Sequence, residues 1–324
     1  MGDLLSLDDL RAAAAVIEGH VLRTPTLPAP GLSQLYGVPV TVKLELLQRT
    51  GSFKPRGVFA KILSLSDAER AAGVVGVSGG NHGMALADVA GELGVAATVV
   101  MPRSAPAPSV DAARAAGADV RLAPDIAAAF ALLDDLVAAG STLVHPFDDP
   151  VVAAAQGTVG LEFAEAAPDL TDVLVSVGGG GLLTGVATAF RALVPGVRMW
   201  GVETAGADAM RRALDAGGPV DLEPTSIVTT LSAPHVAQLT YDHVSALVED
   251  VLVVSDAEAV AGSLTLAQRQ KVWAEPAAGC LVAAADTVLE RVGPGARLGL
   301  VVCGGNVTFA DLARWADATG AVPR

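Results

Sequence analysis

The stretch Gly51-Ser52-Phe53-Lys54-Pro55-Arg56-Gly57 contains one of only four lysines in a chain of 324 residues. Proline is accepted in the first turn of a helix and blocks continuation on its N-terminal side, so Lys54 is expected at a helix start. There the positive end of the helix dipole, the nearby cation Arg56 and desolvation beside Phe53 would each lower the pKa of the ammonium group. An amine of lowered pKa is a usable nucleophile. For this residue taken alone, a solvated surface lysine is the alternative interpretation.

Around this stretch, short β-branched runs alternate with Ala-rich helical stretches. The runs that predict strands are 40–46, 73–77, 97–101, 118–122, 142–144, 173–177, 197–202, 251–254 and 298–302. Such alternation is typical of parallel sheets with crossover helices. A Pro-rich connection is predicted for residues 22–32 and a helix from Gly57 to about Ser64.

The pattern restarts after Pro150, so the chain is expected to form two units. The sequence predicts an α/β fold of two open, mostly parallel twisted-sheet lobes with helices on both faces. The large lobe is assigned residues 1–50 and 145–324, and a small mobile α/β lobe residues 51–144. A functional cleft is expected between the two lobes.

Composition excludes several classes of function. The net charge of −14 and pI of about 4.7 argue against a nucleic-acid-binding face. Cys280 and Cys303 lie in apolar surroundings, and no secretory signal is apparent at the N-terminus, so reduced thiols in a cytoplasmic protein are expected. Residues 173–190 carry no charge over 18 positions, as a membrane span would. Their central glycines favour a buried strand, a loop and a helix, and no membrane partner is expected.

Four consecutive glycines, Gly178, Gly179, Gly180 and Gly181, separate the predicted strand at 173–177 from a helical stretch. Glycines let successive backbone N–H groups approach an anion, and the helix dipole favours its charge. A single phosphate is the expected guest. The dinucleotide fingerprint fails because Leu183 stands where its third glycine belongs, although Glu203 ends the next strand as that fingerprint requires.

Two further strand ends carry polar groups. The run Ser78-Gly79-Gly80-Asn81-His82-Gly83 could hold a carboxylate or phenolate oxygen through side chains and backbone N–H groups. His82 could be a base, with helix capping as the alternative. Cys303 could hydrogen-bond a ring nitrogen without protonating it, with a packed core thiol as the alternative. For Glu275, capping of an Ala-rich helix is the plain explanation.

Taken together, these stretches resemble the fold-type II pyridoxal-phosphate (PLP) family of serine/threonine dehydratases and serine racemases, whose architecture is tryptophan-synthase-β-like. The shared motifs occur in family order over nearly the whole chain. They are S-F-K-x-R-G at 52–57, S-x-G-N-H-G at 78–83, H-P-F-D-D-P at 145–150, Q-G-T at 156–158, GGGGL at 178–182, E-P at 275–276 and C-G-G-N at 303–306.

The resemblance implies roles for individual residues. Lys54 would hold PLP as a Schiff base with Phe53 against the ring, and Asn81 would bond the phenolic oxygen. Gly178, Gly179, Gly180, Gly181 and Leu182 would hold the phosphate, and Cys303 would face the pyridine nitrogen. Lys54 and Ser78 would be catalytic, and Ser78, Asn81 and His82 would surround the substrate carboxylate. The implied reaction is β-elimination from a small 3-hydroxy amino acid such as L-threonine or L-serine, giving a 2-oxo acid and ammonia, in a homodimer.

Departures from the family pattern keep alternatives open. Racemases place a serine where this chain has Gly79, so elimination is favoured over racemisation. The family's cation site is matched by Glu203 and Ala207, but Ala209 replaces its aspartate, which leaves a divalent or monovalent ion undecided. Many relatives carry Asp-Gly where Thr229 and Thr230 stand, so the substrate side chain stays open. The alternatives are a racemase, a β-replacement synthase, a nicotinamide-dependent oxidoreductase and a non-catalytic PLP-binding protein.

Overall fold

The computed structural model of the protein describes residues 4–324. The strands are β1 Thr26–Pro28, β2 Val40–Leu44, β3 Val74–Val77, β4 Ala97–Pro102, β5 Asp119–Ala123, β6 Thr142–Leu143, β7 Asp172–Ser176, β8 Arg198–Thr204, β9 Asp250–Val254 and β10 Leu298–Val302. The helices are α1 Leu7–Ile17, α2 Pro30–Tyr36, α3 Lys54–Ser64, α4 Asp67–Ala72, α5 Asn81–Glu92, α6 Ala107–Ala115, α7 Ile126–Ala138, α8 Pro150–Ala166, α9 Gly181–Leu193, α10 Ala209–Ala216, α11 Gln238–Leu247, α12 Asp256–Thr265, α13 Pro276–Val292 and α14 Phe309–Thr319.

The larger sheet has the strand order β1-β2-β10-β7-β8-β9. Only its edge pair, β1 with β2, is antiparallel, and every other pairing is parallel. The last strand, β10, lies between β2 and β7, so the N-terminal segment joins the second half of the chain. Every residue of β7 and β10 is buried, as expected for parallel strands covered by helices on both faces.

The smaller sheet has the order β5-β4-β3-β6, with parallel pairing throughout. Its helix α5 packs in one apolar core with α1, α3 and α8. The predicted fold class of two mostly parallel sheets is therefore confirmed. The limit of the small lobe at residues 51–144 stays a prediction.

Three segments of the chain can be compared with their predicted local structure. Residues 22–32 are more than a connection, because they include β1 and the start of α2. Pro28 is compatible with β1 because an edge strand leaves one side unpaired. Helix α3 begins at Lys54, three residues earlier than predicted, since proline fits its first turn. Residues 173–190 divide into strand, turn and helix, and no helix within residues 4–324 is long and apolar enough to cross a membrane.

Candidate active site

Lys54 lies at the first position of α3. Its Nζ atom is 3.5 Å from the carbonyl oxygen of Pro146 and 4.9 Å from the centroid of the Phe53 ring. Burial lowers the pKa of the amine from 10.5 to about 8, against opposing effects of Cys303 and Glu275. Desolvation therefore accounts for the lowered pKa, and the structure confirms the helix-start position.

Arg56 does not contribute to that pKa, in contrast to the expectation from sequence. Its guanidinium is fully buried and binds Glu45 through two bonds of 2.9 Å and Glu162 through bonds of 2.6 and 3.0 Å. Lys43 completes this set by pairing with Glu162. We call these four residues the ion cluster. Because the ion cluster neutralises Arg56, the cation exerts little repulsion on Lys54.

The lysine stretch is attached to the end of β10. The Phe53 N–H donates to the Cys303 carbonyl at 3.2 Å, and Ser52 forms a β-bridge with Gly304. The Cys303 thiol is 3.8 Å from the Ser176 hydroxyl, which also lies 3.9 Å from Cys280. Burial raises the pKa of Cys303 well above its ordinary value. The thiol is therefore neutral, and both cysteines are free and buried.

The turn of residues 178–181, the glycine turn, joins β7 to α9. A Cβ atom on Gly179 would lie 2.1 Å from the Phe147 ring, and one on Gly180, whose φ is +91°, would lie 2.8 Å from Thr240. Larger residues would therefore fill this space. No side chain of residues 4–324 caps α9, so its first N–H groups are available to an anion. The turn fits the phosphate of a cofactor.

The turn of residues 78–83, the Asn-His turn, begins α5. The Ser78 hydroxyl accepts a bond from the Gly80 N–H at 3.2 Å. Asn81 is buried, and its Nδ2 atom donates to both carboxylate oxygens of Glu275 at 2.9 and 3.1 Å. The structure thus brings Asn81 to the same region as Lys54 and Cys303, through Glu275.

His82, in the same turn, is buried and bonded to a backbone carbonyl. Its ring is 4% exposed, and Nε2 bonds the Val144 carbonyl at 2.8 Å. Burial lowers the pKa of the imidazole to about 3. The imidazole links the end of β6 to α5, and its lowered pKa argues against its acting as a base; a role of His82 beside the substrate carboxylate stays a prediction.

Glu275 is the functional candidate that sequence reasoning missed. It precedes α13 but makes no side-chain cap of that helix. Its carboxylate instead accepts from Asn81 and Thr230, and burial raises its pKa to about 7 while Lys54 opposes that rise. The sequence signals were the E-P motif shared with the family and a carboxylate in the run of small residues at 275–279, and neither reveals a partner in another lobe.

The weak cation candidates do not form a ligand set. Both oxygens of Glu203 accept backbone N–H bonds of 2.9 Å from Met210 and Arg211 at the start of α10. Asp208 pairs with Arg212, and Ala209 supplies no oxygen from its side chain. No group of three metal-ligating side chains occurs among the described residues. Glu203 is also fully buried with both oxygens bonded to this helix start, so its carboxylate is not exposed to the ribose that a nicotinamide enzyme would bind.

The site combines a buried amine of lowered pKa, a glycine turn suited to phosphate and a neutral thiol at a strand end. This combination is typical of enzymes whose lysine binds a phosphate-bearing aldehyde cofactor. Residues 17–304 match the family described as pyridoxal-phosphate dependent enzyme. The chain belongs to this family, and PLP is its cofactor.

The chain is also similar to individual enzymes of this family. The chain is 38% identical over 317 residues to phenylserine dehydratase of Ralstonia pickettii, covering 96% of this chain and 97% of that one. It is 38% identical over 313 residues to L-threo-3-hydroxyaspartate ammonia-lyase of a Pseudomonas species, with coverage of 96% and 98%. The solved structure of maize serine racemase superimposes with a TM-score of 0.90 at 31% identity, covering 98% of both chains.

Proposed function

We propose that the protein is a PLP-dependent ammonia-lyase that removes water from a 3-hydroxy amino acid and releases a 2-oxo acid and ammonia. The observation that carries this proposal is the Lys54 amine, with its pKa lowered to about 8 by burial. The names of the two hydroxy-amino-acid lyases among the relatives support the reaction class.

The residues of this chain supply binding and proton transfer. We assign Lys54 to hold the cofactor and then, as a free amine, to take the α-proton of the substrate. The glycine turn would bind the phosphate, and Phe53 would pack against the ring. Bound PLP supplies the electron sink for the charge that develops at the α-carbon.

We propose that Cys303 faces the ring nitrogen of the bound cofactor, where a neutral thiol would favour elimination. A thiol whose pKa is raised well above its ordinary value would leave a facing ring nitrogen unprotonated and would give little stabilisation to negative charge on the ring. Loss of the β-hydroxyl should then outpace reprotonation of the α-carbon. We therefore assign elimination as the main outcome.

Racemisation is the second candidate because a racemase shares the fold closely. Gly79 offers no side-chain acid on the Asn-His turn, and a Cβ there would lie 3.0 Å from Ala105. Ser78 is the nearest hydroxyl in sequence, and we propose that it binds the substrate carboxylate together with the Asn81 side chain and the backbone N–H groups at the start of α5.

We propose that the segment of Thr229 and Thr230 contacts the substrate side chain. A Cβ on Gly80 would be 3.5 Å from the Thr230 methyl, and the Thr230 hydroxyl bonds Glu275. This segment therefore lies beside the Asn-His turn and carries no charge. We propose a substrate with an uncharged side chain, in the class that includes L-threonine, L-serine and 3-aryl analogues.

A panel assay tests the activity. Release of 2-oxo acid should be measured for L-threonine, L-serine, L-threo-phenylserine and L-threo-3-hydroxyaspartate, with D-serine formation followed in parallel. Lys54→Ala should abolish release, whereas Lys61→Ala should retain it, because Lys61 on the same helix pairs with Asp149 at 2.7 Å. Release from none of these substrates would reject the lyase assignment, and D-serine formation exceeding release would favour the racemase.

We also propose a cytoplasmic homodimer with a small lobe of residues 51–144 that moves relative to the rest. The family resemblance and the exposed Leu22, Leu27 and Leu47 side chains support an apolar contact between copies. Light scattering at micromolar concentration tests the dimer, and a monomer mass would contradict it.

A further inference from the structure

The Glu275 carboxylate is buried at the meeting point of the two lobes. Its backbone N–H donates to the Gly304 carbonyl at 3.1 Å, which fixes the residue to the end of β10. A Cβ on Gly304 would lie 2.7 Å from Glu275 Oε1 and 3.2 Å from Asn81 Nδ2. The absence of a side chain at Gly304 therefore allows the carboxylate and the amide to meet.

Backbone and side-chain bonds together fix the orientation of the Asn81 amide. Asn306 Nδ2 donates to the Thr50 carbonyl at 2.8 Å, and a backbone carbonyl can only accept. The same Nδ2 donates to Asn81 Oδ1 at 2.7 Å. The Asn81 oxygen consequently faces Asn306, and its nitrogen faces Glu275. A flipped amide would set oxygen against carboxylate and donor against donor.

The contact between Asn81 and Glu275 leaves one amide hydrogen available. Seen from Nδ2, the two carboxylate oxygens lie in nearly the same direction, whereas the two hydrogens of an amide nitrogen diverge widely. One hydrogen is therefore shared by both oxygens, at 2.9 and 3.1 Å, and the second remains free to donate.

We propose that Glu275 is a positioning residue that holds the Asn81 amide across the cleft, so that its second hydrogen serves an acceptor oxygen on the bound cofactor. The inference rests on the PLP binding assigned above, but it does not depend on the identity of the substrate. Asn81 begins α5 beside the smaller sheet, whereas Glu275 and Asn306 follow the larger one.

Titration of the metal-free apoprotein with PLP tests this role. Glu275→Ala should raise the dissociation constant for PLP about tenfold, because the buried Asn81 amide loses its acceptor. The same variant should shift the visible absorption maximum of the bound cofactor. Glu275→Gln retains an acceptor oxygen and should restore most of the affinity and the wild-type maximum. If the alanine variant does not fold, Glu275→Met, of closer volume, takes its place.

A double-mutant cycle and a matched control complete the test. Asn81→Ala with Glu275→Ala should bind PLP within about twofold of Asn81→Ala alone, because the two residues act as one unit. Glu203→Gln alters a buried carboxylate at the start of another helix and should change neither the affinity nor the spectrum. Wild-type affinity and spectrum in Glu275→Ala, or independent effects in the cycle, would overturn the proposal. A wild-type protein that binds PLP but releases no 2-oxo acid would overturn the activity alone.

Discussion

Lys54 and Arg56 are two residues apart on the first turn of α3, yet their surroundings are opposite. Arg56 is fully buried with two carboxylate partners, and those partners raise the pKa of its guanidinium. Lys54 has a single carbonyl contact at 3.5 Å, and burial lowers its pKa to about 8. Arg56 is held by ion pairs, whereas Lys54 remains reactive because it has none.

One turn of α3 therefore both anchors the helix through Arg56 and presents the reactive amine of Lys54. A buried charge is tolerated only when it is paired and hydrogen-bonded, and the ion cluster meets that condition by joining α3 to β2 and α8. An amine without such a partner instead shifts toward its neutral form. The neutral form is the nucleophile, so the absence of an ion pair at Lys54 is itself functional.

The largest expected effect is on folding stability. Arg56→Met leaves the carboxylates of the ion cluster without their main cation and should lower the free energy of unfolding by about 3–5 kcal/mol. Lys54→Met removes an amine without a carboxylate partner and should change it by less than about 1 kcal/mol. Urea unfolding of the two apoproteins measures the difference. Equal losses would show that the two cations are held in the same way.

The next effect concerns the rate of cofactor attachment. Because only the neutral amine attacks the aldehyde, the second-order rate of PLP attachment should rise about tenfold from pH 7 and level off above the Lys54 pKa of about 8. Stopped-flow absorbance between pH 7 and 10 follows this reaction. A rate that continues to rise through pH 10 would indicate an amine of ordinary pKa, near 10.5, and would remove the contrast with Arg56.

The smallest effect concerns a third buried ionisable group, Glu203, whose pKa is raised by burial to about 8. Both oxygens of Glu203 are engaged by the start of α10, so millimolar Mg²⁺ or a chelator should shift the melting temperature by less than about 1 °C. Ala209→Asp adds the missing carboxylate and should produce a measurable increase in the melting temperature when Mg²⁺ is added. A chelator that lowers the melting temperature of the wild-type protein would show that Glu203 does bind a cation.

Much of the fold was predictable because its signals are local. Alternating β-branched and Ala-rich stretches gave the parallel sheets, and the glycine turn was recognisable from four adjacent residues. The helix start at Lys54 follows from the proline at its second position. Residues 22–32 were harder, since β1 has three residues and depends on pairing with β2.

The lowered pKa of Lys54 was predicted from sequence, but the rest of the site's electrostatics was not, because it depends on partners distant in sequence. Arg56 is two positions from Lys54 in the chain, but Glu162, which neutralises it, lies 106 positions from Arg56. Glu275 contacts Asn81 across 194 positions. His82 turns to Val144, 62 positions away. Sequence neighbours therefore indicated which residue types were present, whereas tertiary contacts decided their charge and direction.

Borohydride reduction tests directly whether Lys54 is the amine that carries the cofactor. The protein should be loaded with PLP, treated with borohydride, digested and analysed by mass spectrometry, with Lys61→Ala as the matched control for a neighbouring lysine. We expect a reduced phosphopyridoxyl group on the peptide containing Lys54, unchanged in Lys61→Ala and absent in Lys54→Ala. Modification of another lysine, or none at all in a protein saturated with PLP, would contradict it.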